Sequence, residues 1–453
     1  MEQRPARPRA RLNRRPITTT FAAMALAGLF GACGADDGDG QSTASSTSAP
    51  TLSATEQAEL AANTEFAQCV RDNGVDDFPD PQLDENGFLL VGAPWEGDLD
   101  QWDVAQRACQ HIFEEVAPSE EETAAAAAWD KVVPGGDCAC ADGSEFAFWE
   151  RRADPTKVVF FLDGGGTCTD ATNCAFTGMY REGEGMYDWS IWGEDPAEEG
   201  GIFDFARSDN PFLDYSFLYV PTCTGDMHLG DVTREYSPEL TVEHNGYVNG
   251  TAALGYLAEH YPDVTQVVVV GKSNGAIAAP VYGGLTADLL PDAQITVFGG
   301  QAGAVPDNPD LTEQYLSAWG AFETMPAWEV NEGLTAREWG PRRFWIQAGL
   351  HDPEIVLARF DFAYDAEVAE DAESLGLDPS ELLAVIDGNE AAIEAAGVVL
   401  HSYTAPGDDH GIFEWPRFYE VEVNGVTLVE WVDALLAGQP LDDVHCVDCE
   451  PAS

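Results

Sequence analysis

Positive charge is what this 453-residue chain has least of. Its 21 lysines and arginines stand against 80 aspartates and glutamates, a formal net charge of −59 at pH 7. A surface of that sign repels polyanions, so nucleic acid is excluded as a partner, and acidic polysaccharide would be repelled at low salt. Histidine is scarce too, with eight in the chain, which leaves few imidazoles for acid–base or metal chemistry. Long apolar runs are missing: no stretch approaches the roughly 18 consecutive apolar residues that a membrane-spanning helix needs. Apolar residues as a class are not short, at 45%, so the chain can bury one large core or two ordinary ones.

The few basic residues crowd at the start. Arg4, Arg7, Arg9, Arg11, Arg14 and Arg15 precede an apolar stretch from Phe21 to Phe30 that closes on Gly31-Ala32. A basic start, a short apolar run and small residues form an export signal over residues 1–32. With Cys33 next, the stretch resembles a bacterial lipoprotein signal, which implies lipidation of Cys33 and a membrane contact through that anchor alone. A plain cleaved signal is the alternative, and Arg14-Arg15 points to twin-arginine export as one route. The expected location is extracytoplasmic.

Residues 33–53 are Gly, Asp, Ser, Thr and Ala with almost no large apolar side chains, the composition of a flexible tether. Residues 54–117 form a small segment in which Cys69 and Cys109 bracket Phe78-Pro79-Asp80-Pro81. This text resembles a small cysteine-containing segment of secreted bacterial lipoproteins. In an oxidising compartment the two cysteines most simply pair, stapling a segment too small for a good core of its own. Residues 118–128, with an alanine run, read as a linker; residues 129–440 form the large domain, and 441–453 a cysteine-containing tail.

Within the large domain, Val267-Val268-Val269-Val270 reads as a strand buried on both faces, and Gly271-Lys272-Ser273-Asn274-Gly275 follows at once. That is G-x-S-x-G, the sharp strand-to-helix turn that lifts a serine above a sheet, with Ala276 to Leu290 as the helix and Pro280 near its first turn. Further strands are expected at 158–162, 215–220, 295–298, 343–347 and 398–403, with helices at 249–261 and 428–436. Strands alternating with helices predict an α/β fold, a mostly parallel sheet of α/β-hydrolase type covered on both faces. A serine hydroxyl needs an imidazole to take its proton and a carboxylate to orient that imidazole. His410, in a polar turn after the 398–403 strand, and Asp352, just past the expected 343–347 strand, complete the chain order Ser…Asp…His. Asp352 also reads as a helix cap before Pro353, and Asp408 and Asp409 are the reserve carboxylates. Gly164-Gly165-Gly166 follows a strand, where oxyanion donors belong, with the backbone N–H of Asn274 as another.

Cys140-Ala141-Asp142-Gly143-Ser144, the stretch from Leu162 through Cys168 with Cys174, the stretch from Val220 to Gly230 containing Thr224-Gly225-Asp226-Met227-His228, and His244-Asn245-Gly246 occur in that order. Together they resemble the pectin acetylesterase/Notum family over roughly 129–438. The resemblance implies a serine carboxylesterase that removes acyl groups from oxygen with no metal and no cofactor. It implies Ser273 as nucleophile, Asp352 as acid, His410 as base, and oxyanion donors at Gly165, Gly166 and Asn274. It also implies a Cys168–Cys174 disulfide. Asn274 stands where the family has alanine, and Gly166 or Thr167 where members have tryptophan, so the shape of the acyl pocket does not carry over. The expected substrate is an O-acyl ester, O-acetyl first, on an acetylated polysaccharide or a small neutral ester. A lipase-like deacylase of longer chains and a non-catalytic surface-binding lipoprotein are the alternatives. Export favours disulfides over zinc for the remaining cysteines, including Cys446 and Cys449.

Overall fold

The computed structural model describes residues 129–182, 185–191, 194, 196–198, 200–370, 376–447 and 449, and, nearer the N-terminus, 64, 66–71, 73, 75, 78–79, 82–83 and 89–90. The expected signal, tether, linker, Cys33 and Cys109 lie outside the described residues. The chain divides into two compact units, 1–117 and 118–453.

In the first unit, residues 66–71 are helical, and Phe66, Ala67 and Val70 close with Val75 and Phe78 into a small buried cluster. Arg71 ties the turn by donating from Nη1 to the Phe78 carbonyl at 2.8 Å. Cys69 is disulfide-bonded.

The second unit is built on a nine-stranded sheet. In chain order the strands are β1 (Asp130–Val132), β2 (Phe148–Arg151), β3 (Asp154–Leu162), β4 (Tyr215–Val220), β5 (Gln266–Lys272), β6 (Gln294–Gly300), β7 (Val356–Phe362), β8 (His401–Ala405) and β9 (Val444–His445). Their spatial order is β9-β8-β7-β6-β5-β3-β4-β2-β1. From β9 to β4 every pairing is parallel; β2 and β1 add antiparallel at one edge. The helices are α1 (Gly246–His260), α2 (Asn274–Leu289), α3 (Pro309–Trp319), α4 (Pro341–His351), α5 (Ala366–Glu370), α6 (Leu382–Ala395) and α7 (Leu428–Leu436). This is an α/β-hydrolase-type fold. Val158 to Leu162 and Val267 to Val270 are fully buried, as strands covered on both faces require.

Three elements differ from the sequence reading. Residues 343–347 lie in helix α4, not a strand. Gly340-Pro341 opens it, with proline at its first position, and Phe344, Trp345 and Ala348 bury one face. The strand is β7 instead, disguised by two charges: Arg359 and Asp361, two residues apart and so on the same face, pair internally at 2.6 Å. Pro280 sits in the second turn of α2, not the first. Finally, the tail is not separate from the sheet, because Val444–His445 pairs with β8 as its edge strand.

Candidate active site

The candidate residues gather at the C-terminal ends of the parallel strands, where the chain turns over the sheet edge. β5 ends on Lys272 and α2 begins at Asn274, leaving Ser273 alone to make the turn, at φ 50° and ψ −119°. A non-glycine residue pays for that conformation, and the bond from Ser273 N–H to the Gly300 carbonyl at 2.9 Å helps hold it. The flanking glycines are needed for space. A Cβ on Gly271 would lie 2.4 Å from the Gly275 carbonyl oxygen, and one on Gly275 2.1 Å from that of Leu162.

The loop after β3 runs against the serine: a Cβ on Gly164 would meet Ser273 Cβ at 2.8 Å. Gly166 has φ 71°, and a Cβ there would strike the Met186 carbonyl at 2.2 Å, so only glycine fits. Asp188 donates its N–H to the Gly165 carbonyl at 2.8 Å, and Gly166 bridges Tyr187. Cys168 and Cys174 are joined by a disulfide. The Cys168 carbonyl accepts from Trp319 Nε1 at 2.7 Å. The loop is therefore fixed from both sides before any ligand arrives.

The motif segments pack together behind it. Cys140 and Cys223 are disulfide-bonded. Buried Asp226 accepts from Thr224 Oγ1 at 2.7 Å and from Gly246 N–H at 2.8 Å. Burial pushes its carboxyl up to about 6, against the pull of those hydrogen bonds. His228 Nε2 bonds the Asp163 carbonyl at 2.8 Å, and burial lowers its pKa, so it is a neutral strut. His244 links Thr224 O at 2.9 Å to Tyr236 Oη at 2.9 Å, and burial lowers it to about 4.

His410 lies beyond β8, with its side chain 9% exposed, and its Nδ1 is 2.7 Å from Asp365 Oδ2. Asp365 lies beyond β7. Its Oδ1 accepts from the N–H groups of Glu367 and Val368 at 3.0 and 3.1 Å, so one carboxylate caps α5 and holds the imidazole. Backbone bonds zip the two loops together: Ala363 N–H to Ala405 O, Tyr364 N–H to Gly407 O, and Ala366 N–H to Asp408 O. His410 Nε2 is 3.5 Å from Glu367 Oε2, which also takes the Tyr180 hydroxyl. Burial works against the imidazolium most, but Asp365 and then Glu367 outweigh it, and the His410 pKa is raised above 6.5.

The carboxylate beside His410 is thus Asp365, and Asp352 is a correction to the sequence reading. Asp352 follows α4 and precedes β7, and its Oδ1 accepts only the Glu354 N–H, at 3.0 Å. A seven-residue strand spans roughly 20 Å, which puts Asp352 at the opposite edge of the sheet from His410. The cause is the helical state of residues 343–347: the residue just past them stands at the entrance to β7, not at its exit. Reserve Asp408 and Asp409 do not hold the imidazole either; Asp409 pairs with Arg417 at 2.6 Å.

Ser273, Asn274, Gly166 and His410 all line one cavity of about 360 Å³. Much of its wall is apolar, including Met227, Leu229, Ile277, Leu316, Trp319 and Phe344. Asn274 is the first residue of α2, at the positive end of the helix, where its own N–H has no partner inside the helix. Glu367 and Gln301 also line the cavity and were not singled out from sequence. For Asp365, a signal was available in a polar turn after Phe360-Asp361-Phe362.

The pectinacetylesterase family model matches residues 131–330. Over 148 residues the chain is 26% identical to the palmitoleoyl-protein carboxylesterase NOTUM of Schmidtea mediterranea, covering 30% of this chain and 26% of that protein. The chain thus spans about a quarter of the length of the curated relative it matches. In structure it is similar to the Wnt deacylase Notum from Drosophila in two crystal forms. The TM-scores are 0.53 and 0.50, each at 17% identity, covering 70% and 72% of this chain and 96% and 98% of those chains. The family match includes the glycine loop and Ser273 and stops short of Asp365 and His410, which rest on geometry. Residues 131–330 thus match the pectinacetylesterase family model, and the fold is shared with the Notum deacylase.

Proposed function

We propose that this protein is an exported serine carboxylesterase that cleaves O-acyl esters through an acyl-enzyme on Ser273. The observation that carries the reading is the meeting of Ser273, His410 and the glycine loop at one cavity, with Asp365 buried behind the imidazole. Asp365 accepts the Nδ1 proton of His410, which leaves Nε2 unprotonated and able to take the Ser273 proton. As Oγ bonds to the acyl carbon, charge moves to the carbonyl oxygen, where the amides of Gly165, Gly166 and Asn274 receive it. The bond to the alcohol oxygen then breaks and His410 returns the proton to that oxygen. Water repeats the sequence on the acyl-enzyme and releases the carboxylic acid.

The acyl group is the finer question. A methyl group occupies about the volume of one water, ~30 Å³, so an acetyl group would leave most of a 360 Å³ cavity unused. The apolar wall favours a longer acyl chain over the O-acetyl group expected from sequence. Each buried methylene is worth about 0.8 kcal/mol, roughly a two- to fourfold gain in kcat/KM. A formal charge of −59 also disfavours docking on polygalacturonate. Among the described residues no helix is long and apolar enough to cross a membrane, and attachment through lipidated Cys33 is part of the proposal.

The test is a fluorophosphonate probe followed by p-nitrophenyl acetate, butyrate and octanoate. Labelling that disappears in Ser273→Ala, with kcat/KM rising along the series, supports the reading. An intact protein that takes no label is the non-catalytic binder instead, and a fall from acetate to butyrate restores the deacetylase.

A further inference from the structure

Gln301 is the first residue after β6 and sits at φ 61°, a left-handed conformation that non-glycine residues seldom adopt. Its N–H is spent on the Phe360 carbonyl at 3.0 Å. Gln301 lines the cavity that Ser273 and His410 share, and only 4% of the residue is exposed. Neither Oε1 nor Nε2 has a hydrogen-bond partner. Among the described residues lining this cavity, no other side chain has buried polar atoms left unpaired. Folded proteins pair roughly nine in ten such groups, so an exception calls for a reason. Strain and an unpaired amide coincide on one residue in the wall of the site, where a ligand would relieve the second.

We infer that Gln301 is a specificity-determining residue whose carboxamide pairs with a hydroxyl group carried by the substrate. The inference rests on the esterase reading above. A hydroxyl donates and accepts at one atom, so it can meet both Nε2–H and Oε1. A plain hydrocarbon chain leaves both unpaired, and a trans secondary amide presents its donor and acceptor in opposite directions. A carboxylate would face Glu367 on the same cavity. Because no protein group holds the amide, turning it toward a ligand breaks no bond. The hydroxyl belongs either to the acyl chain or to the alcohol, and the two sources are separable.

The experiment uses two series of ester pairs, each pair with and without one hydroxyl. In the first the hydroxyl steps along the acyl chain of p-nitrophenyl esters. In the second it steps along the alcohol of simple butyrate esters. At one position in one series, the wild-type protein should favour the hydroxylated member by about 10- to 100-fold in kcat/KM. The ratio should fall to within about threefold in Gln301→Met, an unbranched replacement of similar size. Fluorophosphonate labelling reports whether that variant keeps a folded site, and Gln301→Glu, which keeps the acceptor and loses the donor, is the second variant. A wild-type protein with no preference at any position overturns the inference, as does a preference that survives in both variants. If the wild-type protein neither labels nor turns over any ester, the esterase reading itself fails and takes this inference with it.

Discussion

Replacing Asp365 with asparagine separates the two candidate acids. Asp365 is 2% exposed and its Oδ2 lies 2.7 Å from His410 Nδ1, so the pair is shielded from solvent and salt. Asparagine keeps an oxygen that can cap α5, so the fold should survive. Its amide, however, can donate to Nδ1, which favours the tautomer protonated at Nε2, the wrong one for accepting the serine proton. Loss of the orienting carboxylate in a serine–histidine pair costs on the order of 10³ to 10⁴ in kcat, or about 4 to 5.5 kcal/mol. The pH profile should move as well. Wild-type activity should rise as His410 loses its proton, at a pH above 6.5 because its pKa is raised. In Asp365→Asn the main contribution holding it up is gone, burial dominates, and the residual rise should shift to lower pH. The linked stability has the opposite sign. The imidazolium–Asp365 pair stabilises the fold fully below about pH 6.5 and loses that contribution as pH rises through the folded value. Asp352→Asn should change kcat by no more than about twofold, because Asp352 accepts one surface amide. Steady-state kinetics on p-nitrophenyl butyrate from pH 5 to 9 measure all of this. Full activity in Asp365→Asn together with a large loss in Asp352→Asn would refute the assignment.

Ser273→Gly should be more thermostable than Ser273→Ala, because glycine relieves the φ 50° strain that alanine keeps. The difference is about 1 kcal/mol after glycine's entropy cost, roughly 1 to 2 °C in Tm by calorimetry for a unit of this size, and equal Tm values would mean the turn stores no strain. The Cys140–Cys223 disulfide closes a loop with a sequence separation of 83. The Cys140→Ala, Cys223→Ala double variant should lose about 2 to 4 kcal/mol, read as a Tm drop of roughly 3 to 6 °C, and an unchanged Tm would show that the hydrogen bonds around Asp226 suffice without it.

The legible part of the fold was the part whose residues have one use. Four consecutive valines before a glycine–serine turn can be little but a buried strand, and β5 and α2 fall within a residue or two of expectation. The illegible part was ambiguous in kind. Arg343-Phe344-Trp345-Ile346-Gln347 has the aromatic and β-branched content of a strand, and only the Gly340-Pro341 start marks it as a helix. β7 hides because Arg359 and Asp361 neutralise each other inside the sheet, a pairing that no local pattern announces.

That single exchange explains why the carboxylate beside His410 is Asp365 and not the Asp352 expected from sequence. His410 follows β8, which overlaps the strand expected at 398–403. The element expected at 343–347 is not in the sheet, and the true strand has Asp352 at its entrance and Asp365 at its exit. Both aspartates adjoin β7, so proximity in sequence cannot choose between them; strand direction can. In a parallel sheet every strand exits at the same edge, and Ser273, Gln301, Asp365 and His410 each follow such an exit. A carboxylate at an entrance cannot reach an imidazole at an exit without rebuilding the strand between them. The direction of β7 therefore favours Asp365 as the proposed acid more firmly than any property of the two side chains.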